Sequence, residues 1–370
     1  MKKAQVGGIK TRLGNPLTIA GEVIEPGTTS DLRLGYSQSY TGIEVSVPVR
    51  VVAAEKPGPI IFFAAVVHGD ELNGLGVIRE LVFDQPLVLE RGVVIAVPVV
   101  NVYGMDAHSR YLPDRRDPNR CFPGSKSGSL TSRLTHLVFN EVIKQCDYGV
   151  DLHTAAVRRT NYPNIRADLD DPKVRKMAKA FGCELIVHSR GADGSLRRTA
   201  SRRGIPTIVL EAGEVWKIEP GVVAMGLQGS RNILRSLKMI EGRPTVPPFQ
   251  VEVRKSVWIR AEHGGILKFR SGPGDLVKKG QVLATNHDIF GKMLNEILSP
   301  ADGIIQGLTT MPAVKPGEPV FHIALPEISY TSLKRRMSKR SDVGLHREVQ
   351  EQLATSFLVK KRRQRESSKG

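Results

Sequence analysis

The sequence predicts an α/β protein followed by a small all-β module, and three observations carry that expectation. From about residue 40 to about Glu241, β-branched runs alternate with helical patterns. Those runs are apolar at nearly every position instead of at every second one, as in strands whose two faces are both covered by helices. After GRPTVPPFQ, which begins at 242, the texture changes to short strands separated by Gly, Pro and Asp turns.

In chain order, EVSVPVRVVAAE and PIIFFAAVVHG read as strands, LNGLGVIRELV as a helix, and VVIAVPVVNVYG as a further strand. YGVDLHT and CELIVHS flank the helical DPKVRKMAKAFG, and PTIVLEAG closes the series as a buried strand. Three prolines within residues 242–248 mark a linker, because proline cannot sit inside either regular element without losing a hydrogen bond. The expected organisation is a catalytic domain over 1–241, a linker over 242–248, a β-rich module over 249–328 and a basic tail over 329–370. The tail is expected to be loosely ordered with one helix, on the short amphipathic stretch of Val349, Leu353 and Phe357 at four-residue steps, which could pack on a neighbouring subunit and so favour a homo-oligomer.

A chain of 370 residues can bury a large core and, at roughly 150 residues per domain, should hold about two domains. Its 40% apolar share excludes disordered and fibrous classes. No apolar stretch approaches the ~18 residues of a membrane span, and no signal-like apolar run follows Met1, so a cytoplasmic protein with no membrane partner is expected. Cys121, Cys146 and Cys183 lie too far apart for a zinc knuckle or a disulfide framework to be read from them. The net charge of +17 is uneven: from Thr331 to Gly370 there are twelve Lys or Arg against four Asp or Glu. The clusters KRRMSKR and KKRRQR offer an alternative role in docking nucleic acid, a ribosome or an acidic partner, without the interleaved aromatics that base stacking needs.

His68 and Glu71 stand three apart where an apolar strand ends, the place where α/β sheets put their active sites. A catalytic zinc takes three protein ligands and one open position, and two His with one Glu is an established set. His153 in YGVDLHT is the candidate third ligand, and Asp151, two residues earlier on the same side of a strand, is placed to orient it through its other ring nitrogen. An HxxE pair alone is common at strand-to-helix turns, so these residues do not decide the matter singly. Glu211 in PTIVLEAGE is the candidate general base, with Glu214 as competitor. SRYLPDRRDPNRCFPG supplies Arg110, Arg115, Arg116 and Arg120, with Asn119 beside the last, for gripping carboxylates or polarising a carbonyl.

HGDE, DPNR, DLH and LEAGE, in that order, resemble the succinylglutamate desuccinylase and aspartoacylase family of zinc-dependent hydrolases, relatives of the metallocarboxypeptidases, over about residues 40–328. The resemblance implies a carboxypeptidase-like α/β domain with a mixed central sheet and helices on both faces, followed by a β-rich domain. It implies one zinc ion per chain on His68, Glu71 and His153, Glu211 as general acid and base, and Asn119 with Arg120 as contacts to the substrate's carbonyl and carboxylate. Arg110 fits the outer substrate arginine at an altered separation, and Arg197 or Arg198 would grip a distal carboxylate. The β module also looks like a biotinyl or lipoyl-type fold, with Lys292 in GKMLNEI near the modified turn. The expected activity is removal of an acyl group from a small acidic N-acyl amino acid, with cleavage of a C-terminal residue from an acidic peptide as the alternative.

Overall fold

The computed structural model describes residues 9–11, 14–338, 344–355 and 357–358. Strands β1 (Thr18–Ile19) and β2 (Glu22–Val23) make a small hairpin, and β3 (Thr29–Gln38) and β4 (Glu44–Ala53) form an antiparallel pair at one end of a 12-stranded sheet. Strand β5 (Ile60–Ala65) leads through helix α1 (Asn73–Val82) to β6 (Val93–Val97), its parallel neighbour, and both strands are buried at every residue. Such strands need a helix on each side, and the chain provides them.

After the short α2 (Val102–Asp106) come α3 (Leu130–Glu141), β7 (Tyr148–His153) and β8 (Arg159–Ala167). Next are α4 (Pro172–Phe181), β9 (Leu185–His188), α5 (Leu196–Arg202), β10 (Thr207–Gly213) and α6 (Pro220–Ser236). Helix α4 shows how local chemistry sets the boundaries. The Asp171 side chain accepts from Lys173 N and Val174 N, Pro172 opens the first turn, and Gly182 at φ 98° ends the helix in the left-handed region. Val77 of α1, Phe181 of α4 and Val222 of α6 pack on one face of the sheet, while Leu134 and Phe139 of α3 and Leu196 of α5 pack on the other. The sheet is mixed and covered on both faces.

Residues 242–248 form neither helix nor strand. Beyond them run β11 (Val251–Arg260), β12 (Gly265–Phe269), β13 (Leu276–Val277), β14 (Val282–His287) and β15 (Met293–Leu298). Then come β16 (Gly303–Thr309), β17 (Ala313–Val314) and β18 (Pro319–Pro326). Strands β12, β14, β15 and β17 make a separate four-stranded sheet, and Lys292 sits in the turn between β14 and β15. Strands β11, β13, β16 and β18 instead extend the main sheet, because β11 runs parallel to β9 and β16 pairs antiparallel with β8. The pairings β8–β9, β9–β11, β11–β18, β18–β16 and β16–β8 close on themselves. The proline-rich stretch therefore divides the chain without dividing the hydrogen-bonded sheet.

Among the described residues, the tail holds one helix more than the single helix expected. Helices α7 (Tyr330–Met337) and α8 (Leu345–Ala354) are both formed, and Val349 and Leu353 are buried in the core that α6 also lines. Phe357 meets Phe269 edge-to-face at 5.3 Å, and Gln350 donates to Asp275. The amphipathic face expected to seek a neighbouring subunit is thus consumed inside its own chain, where apolar area on α6 was available to cover. KKRRQR and the last two residues of KRRMSKR lie outside the described residues. Among the described residues, no helix is long and apolar enough to cross a membrane.

Candidate active site and metal cluster

Three adjacent parallel strands, β5, β7 and β10, bring their carboxyl ends to one place. From β5 the chain turns through Val66, which takes φ 53°, to His68 and Glu71. A β-branched residue in the left-handed region is a strained conformation that the surrounding structure must hold. At Gly69 a Cβ would stand 1.9 Å from the Gly104 carbonyl carbon, so the turn depends on a residue without a side chain. Strand β7 ends at His153, and β10 sets Glu211 directly beside it in register.

His68 Nδ1 lies 2.7 Å from Glu71 Oε1, and His153 Nδ1 lies 2.8 Å from Glu71 Oε2. Ligand atoms of His68, Glu71 and His153 all fall within 4.8 Å of one another, and all three residues are buried. Behind each imidazole stands a carboxylate: Asp117 Oδ1 is 3.2 Å from His68 Nε2, and Asp151 Oδ2 is 2.9 Å from His153 Nε2. This is the arrangement in which the outer carboxylate fixes tautomer and ring orientation while the inner nitrogen faces a metal. Burial alone would lower both histidine pKa values, yet Glu71 with Asp117 raises His68, and Asp151 with Glu71 raises His153. The same pairs overcome burial at Glu71 and Asp117 and hold both well below the usual carboxylate range. Asp151 is fully buried, and among the described residues its oxygens accept no hydrogen bond of good geometry. A buried carboxylate in that state is costly, and a divalent cation bound through His153 would offset it. The donor set fits zinc.

Glu211 Oε2 accepts from Asn161 Nδ2 at 3.1 Å, and Arg166 Nε stands 3.5 Å from Glu211 Oε1. Glu214 is instead committed to Thr310 Oγ1 and Lys217 Nζ and does not line the cavity of about 390 Å³ that holds Glu211 and the His–Glu–His cluster. Tertiary placement thus separates two glutamates that the sequence left in competition.

Arg110 lines this cavity, but its Nε and Nη2 donate to Asp117 and its Nη1 is 3.3 Å from Glu71 Oε1. Asn119 Oδ1 accepts from Leu196 N, tying the DPNR loop to α5, Arg120 Nη1 donates to Asn119 O, and both residues line the cavity. Arg197 lines the cavity too, buried, with its guanidinium donating to Ser189 O and Oγ; burial first, then Arg166, lowers its pKa to about 10. Arg198 turns away to Gly191 O and Asp193. Arg115 and Arg116 do not line the cavity.

Asp117, behind His68, and several lining residues escape the sequence reading. Asp117 was within sight as the first residue of DPNR. Arg159, Asn161 and Arg166 lie on β8, in a stretch with no motif, and Trp258 and His322 arrive from β11 and β18. The closure of β16 onto β8 brings them there. Trp258 and His322 stack at 4.2 Å with planes 5° apart, and the Arg159 guanidinium lies 5.3 Å from the Trp258 ring centre. Burial, then Arg166 and Arg159, pushes His322 down to about 4, so the stack is neutral at physiological pH.

Residues 57–237 match the succinylglutamate desuccinylase/aspartoacylase catalytic domain family. An N-α-acetyl-L-2,4-diaminobutyric acid deacetylase from Halomonas elongata is 27% identical over 294 residues, which is 76% of this chain and 86% of that protein. A succinylglutamate desuccinylase/aspartoacylase structure from Rhodobacter sphaeroides aligns with a TM-score of 0.72 at 27% identity, over 83% of this chain and 99% of the other. The product-bound ectoine utilization protein EutE (DoeB) from Ruegeria pomeroyi aligns with a TM-score of 0.73 at 22% identity, over 84% and 99%. At that identity the last likeness is one of fold.

Proposed function

This chain belongs to the succinylglutamate desuccinylase/aspartoacylase family of hydrolases, and from that premise we propose that it is a zinc-dependent amidohydrolase releasing the acyl group of an N-acyl amino acid. The observation that carries the reading is the strand register that sets Glu211 beside His153, with the His–Glu–His cluster and a cavity lined by arginines on the same side. His68, Glu71 and His153 would hold the zinc, and Asp117 and Asp151 would orient the two imidazoles. When bound there, zinc polarises a carbonyl and lowers the pKa of water.

The chain's own residues do the rest. Glu211, held by Asn161, accepts a proton from the attacking water as the new C–O bond forms. It returns that proton to the amine nitrogen as the C–N bond breaks, so the products are a carboxylic acid and a free amino acid. Arg120 and the Asn119 amide nitrogen face the carbonyl as charge builds on its oxygen, where fixed donors act most strongly. Arg197 forms a basic wall farther out.

The test is amine release from a panel of N-acyl amino acids and short peptides by protein of measured zinc content. Free amine from N-acyl amino acids, and loss of about 10²–10⁴ in rate in Glu211→Gln with zinc retained, is the expected result. Full activity in that variant would remove Glu211 from the mechanism. Release of C-terminal residues from the peptides alone would replace the deacylase by a carboxypeptidase.

A further inference from the structure

Arg166 stands apart from the other arginines of the cavity. Arg110 is engaged by Asp117, and Arg197 by Ser189. Among the described residues, Arg166 Nε is buried without a hydrogen-bond partner, and the carboxylate it faces, Glu211, is at 3.5 Å, outside good hydrogen-bond geometry. Its side chain is 35% exposed, and it borders the cavity. Arg197 sets a like charge near it, and Arg159 lies on the same strand toward the neutral Trp258–His322 stack. Beyond the loose ion pair with Glu211 through Nε, the guanidinium has no hydrogen-bond partner among the described residues, and its planar fork stays open to a second carboxylate.

The register fixes where that partner would lie. On β10, Val209 pairs with Arg166 of β8 and, on the other side, with Asp151 of β7; two residues on, Glu211 lies between Asn164 and His153. Arg166 is therefore one diagonal step from the base and on the far side of it from His153. A group held by Arg166 lies a few ångströms beyond a carbonyl placed between Glu211 and the His–Glu–His cluster. We infer that Arg166 is a specificity-determining residue that grips a substrate carboxylate remote from the scissile amide. The inference rests on the hydrolase reading for the word substrate, but the binding it asserts needs no turnover. Arg197, buried and engaged by Ser189, then supports the cavity wall instead of making the principal grip.

The carboxylate can belong to the acyl group or to the amino acid, and two arms of one experiment separate these. Zinc-loaded full-length protein, Arg166→Gln and Arg166→Lys are titrated calorimetrically with succinate and with its monoamide, succinamate, each of which has one carboxylate free for the metal. Wild type should prefer succinate by at least about ten-fold, Arg166→Gln should lose that preference, and Arg166→Lys should keep part of it. In turnover, N-succinyl amino acid amides carry the remote carboxylate on the acyl side and N-acetyl amino acids carry it on the other. Arg166→Gln should raise KM about ten-fold or more on one arm with kcat little changed. An equal fall of kcat on both arms, with KM and the succinate preference intact, would mean that Arg166 acts through Glu211 and would overturn the inference. Succinate selectivity that depends on Arg166 in a protein that hydrolyses neither arm would support the grip while sinking the hydrolase reading. Should Arg166→Gln not fold, wild-type selectivity in Arg166→Lys with unaltered KM also counts against it.

Discussion

Asp117 and Asp151 stand behind the two histidines of the cluster in the same relation, yet they are held by opposite means. Asp117 lies in a loop and accepts from Asn119 N and from the Arg110 guanidinium, besides facing His68. Asp151 lies inside β7, fully buried, and among the described residues has no partner but His153. The first carboxylate is stabilised by its surroundings whether or not a cation is present. The second has the His153 imidazole alone, and a cation held through His153 would add to its stabilisation. A site built this way couples metal occupancy to the energetics of a single buried charge.

The largest expected effect removes what the comparison presupposes. Glu71→Ala takes away the carboxylate that both imidazoles share and should abolish stoichiometric zinc binding, read by metal analysis after dialysis; retention of one zinc per chain would dismantle the cluster. Next, Asp117→Asn and Asp151→Asn should each weaken zinc affinity about 10–100-fold, measured by chelator competition. Affinity unchanged in one of them would show that the two carboxylates are not equivalent supports.

A pH series sharpens the contrast further. Both histidines are raised above their ordinary values, so in metal-free protein they hold protons at a pH where a free imidazole has begun to lose them. Zinc must displace those protons, and affinity should fall as pH falls, starting above the ordinary histidine value of about 6.5 and by about ten-fold per pH unit for each proton displaced. For the metal-free fold the signs run both ways. The raised histidines stabilise it below about pH 6.5, a contribution lost as pH rises through their folded values. The lowered Glu71 and Asp117 stabilise it above about pH 4, a contribution lost on acidification. A flat zinc affinity between pH 8 and 5.5 would contradict the coupling.

The smallest effect is the most discriminating. In metal-free protein both variants lose a carboxylate paired with a histidine, and Asp117→Asn, which also gives up hydrogen bonds from Arg110 and Asn119 N, should lose more stability than Asp151→Asn by about 1–3 kcal/mol. Chemical denaturation compares them. Equal losses would erase the distinction between the two supports.

The same pair shows what was readable beforehand. Asp151 was visible because DLH lies on one strand, and a two-residue step returns to the same face whatever the rest of the chain does. His68, Glu71, His153 and Glu211 were visible for a related reason: an apolar run that stops at a polar residue announces a strand's end. Asp117 was passed over, since nothing in a loop's sequence states which histidine, 49 residues away, it will meet.

By itself, then, the sequence determined the alternation of strands and helices, the caps of α4 and the strand ends that carry the candidate chemistry, all set by neighbours within a few residues. The tertiary structure placed Glu211 in the cavity and Glu214 outside it, turned Arg197 inward and Arg198 away, and folded the tail helix onto α6. It also closed β16 onto β8, which set Trp258 and His322 across from Arg166. Each of these depends on which strands pair and in what register, and pairing between distant segments is set by the burial of whole faces, to which no single local stretch is a guide.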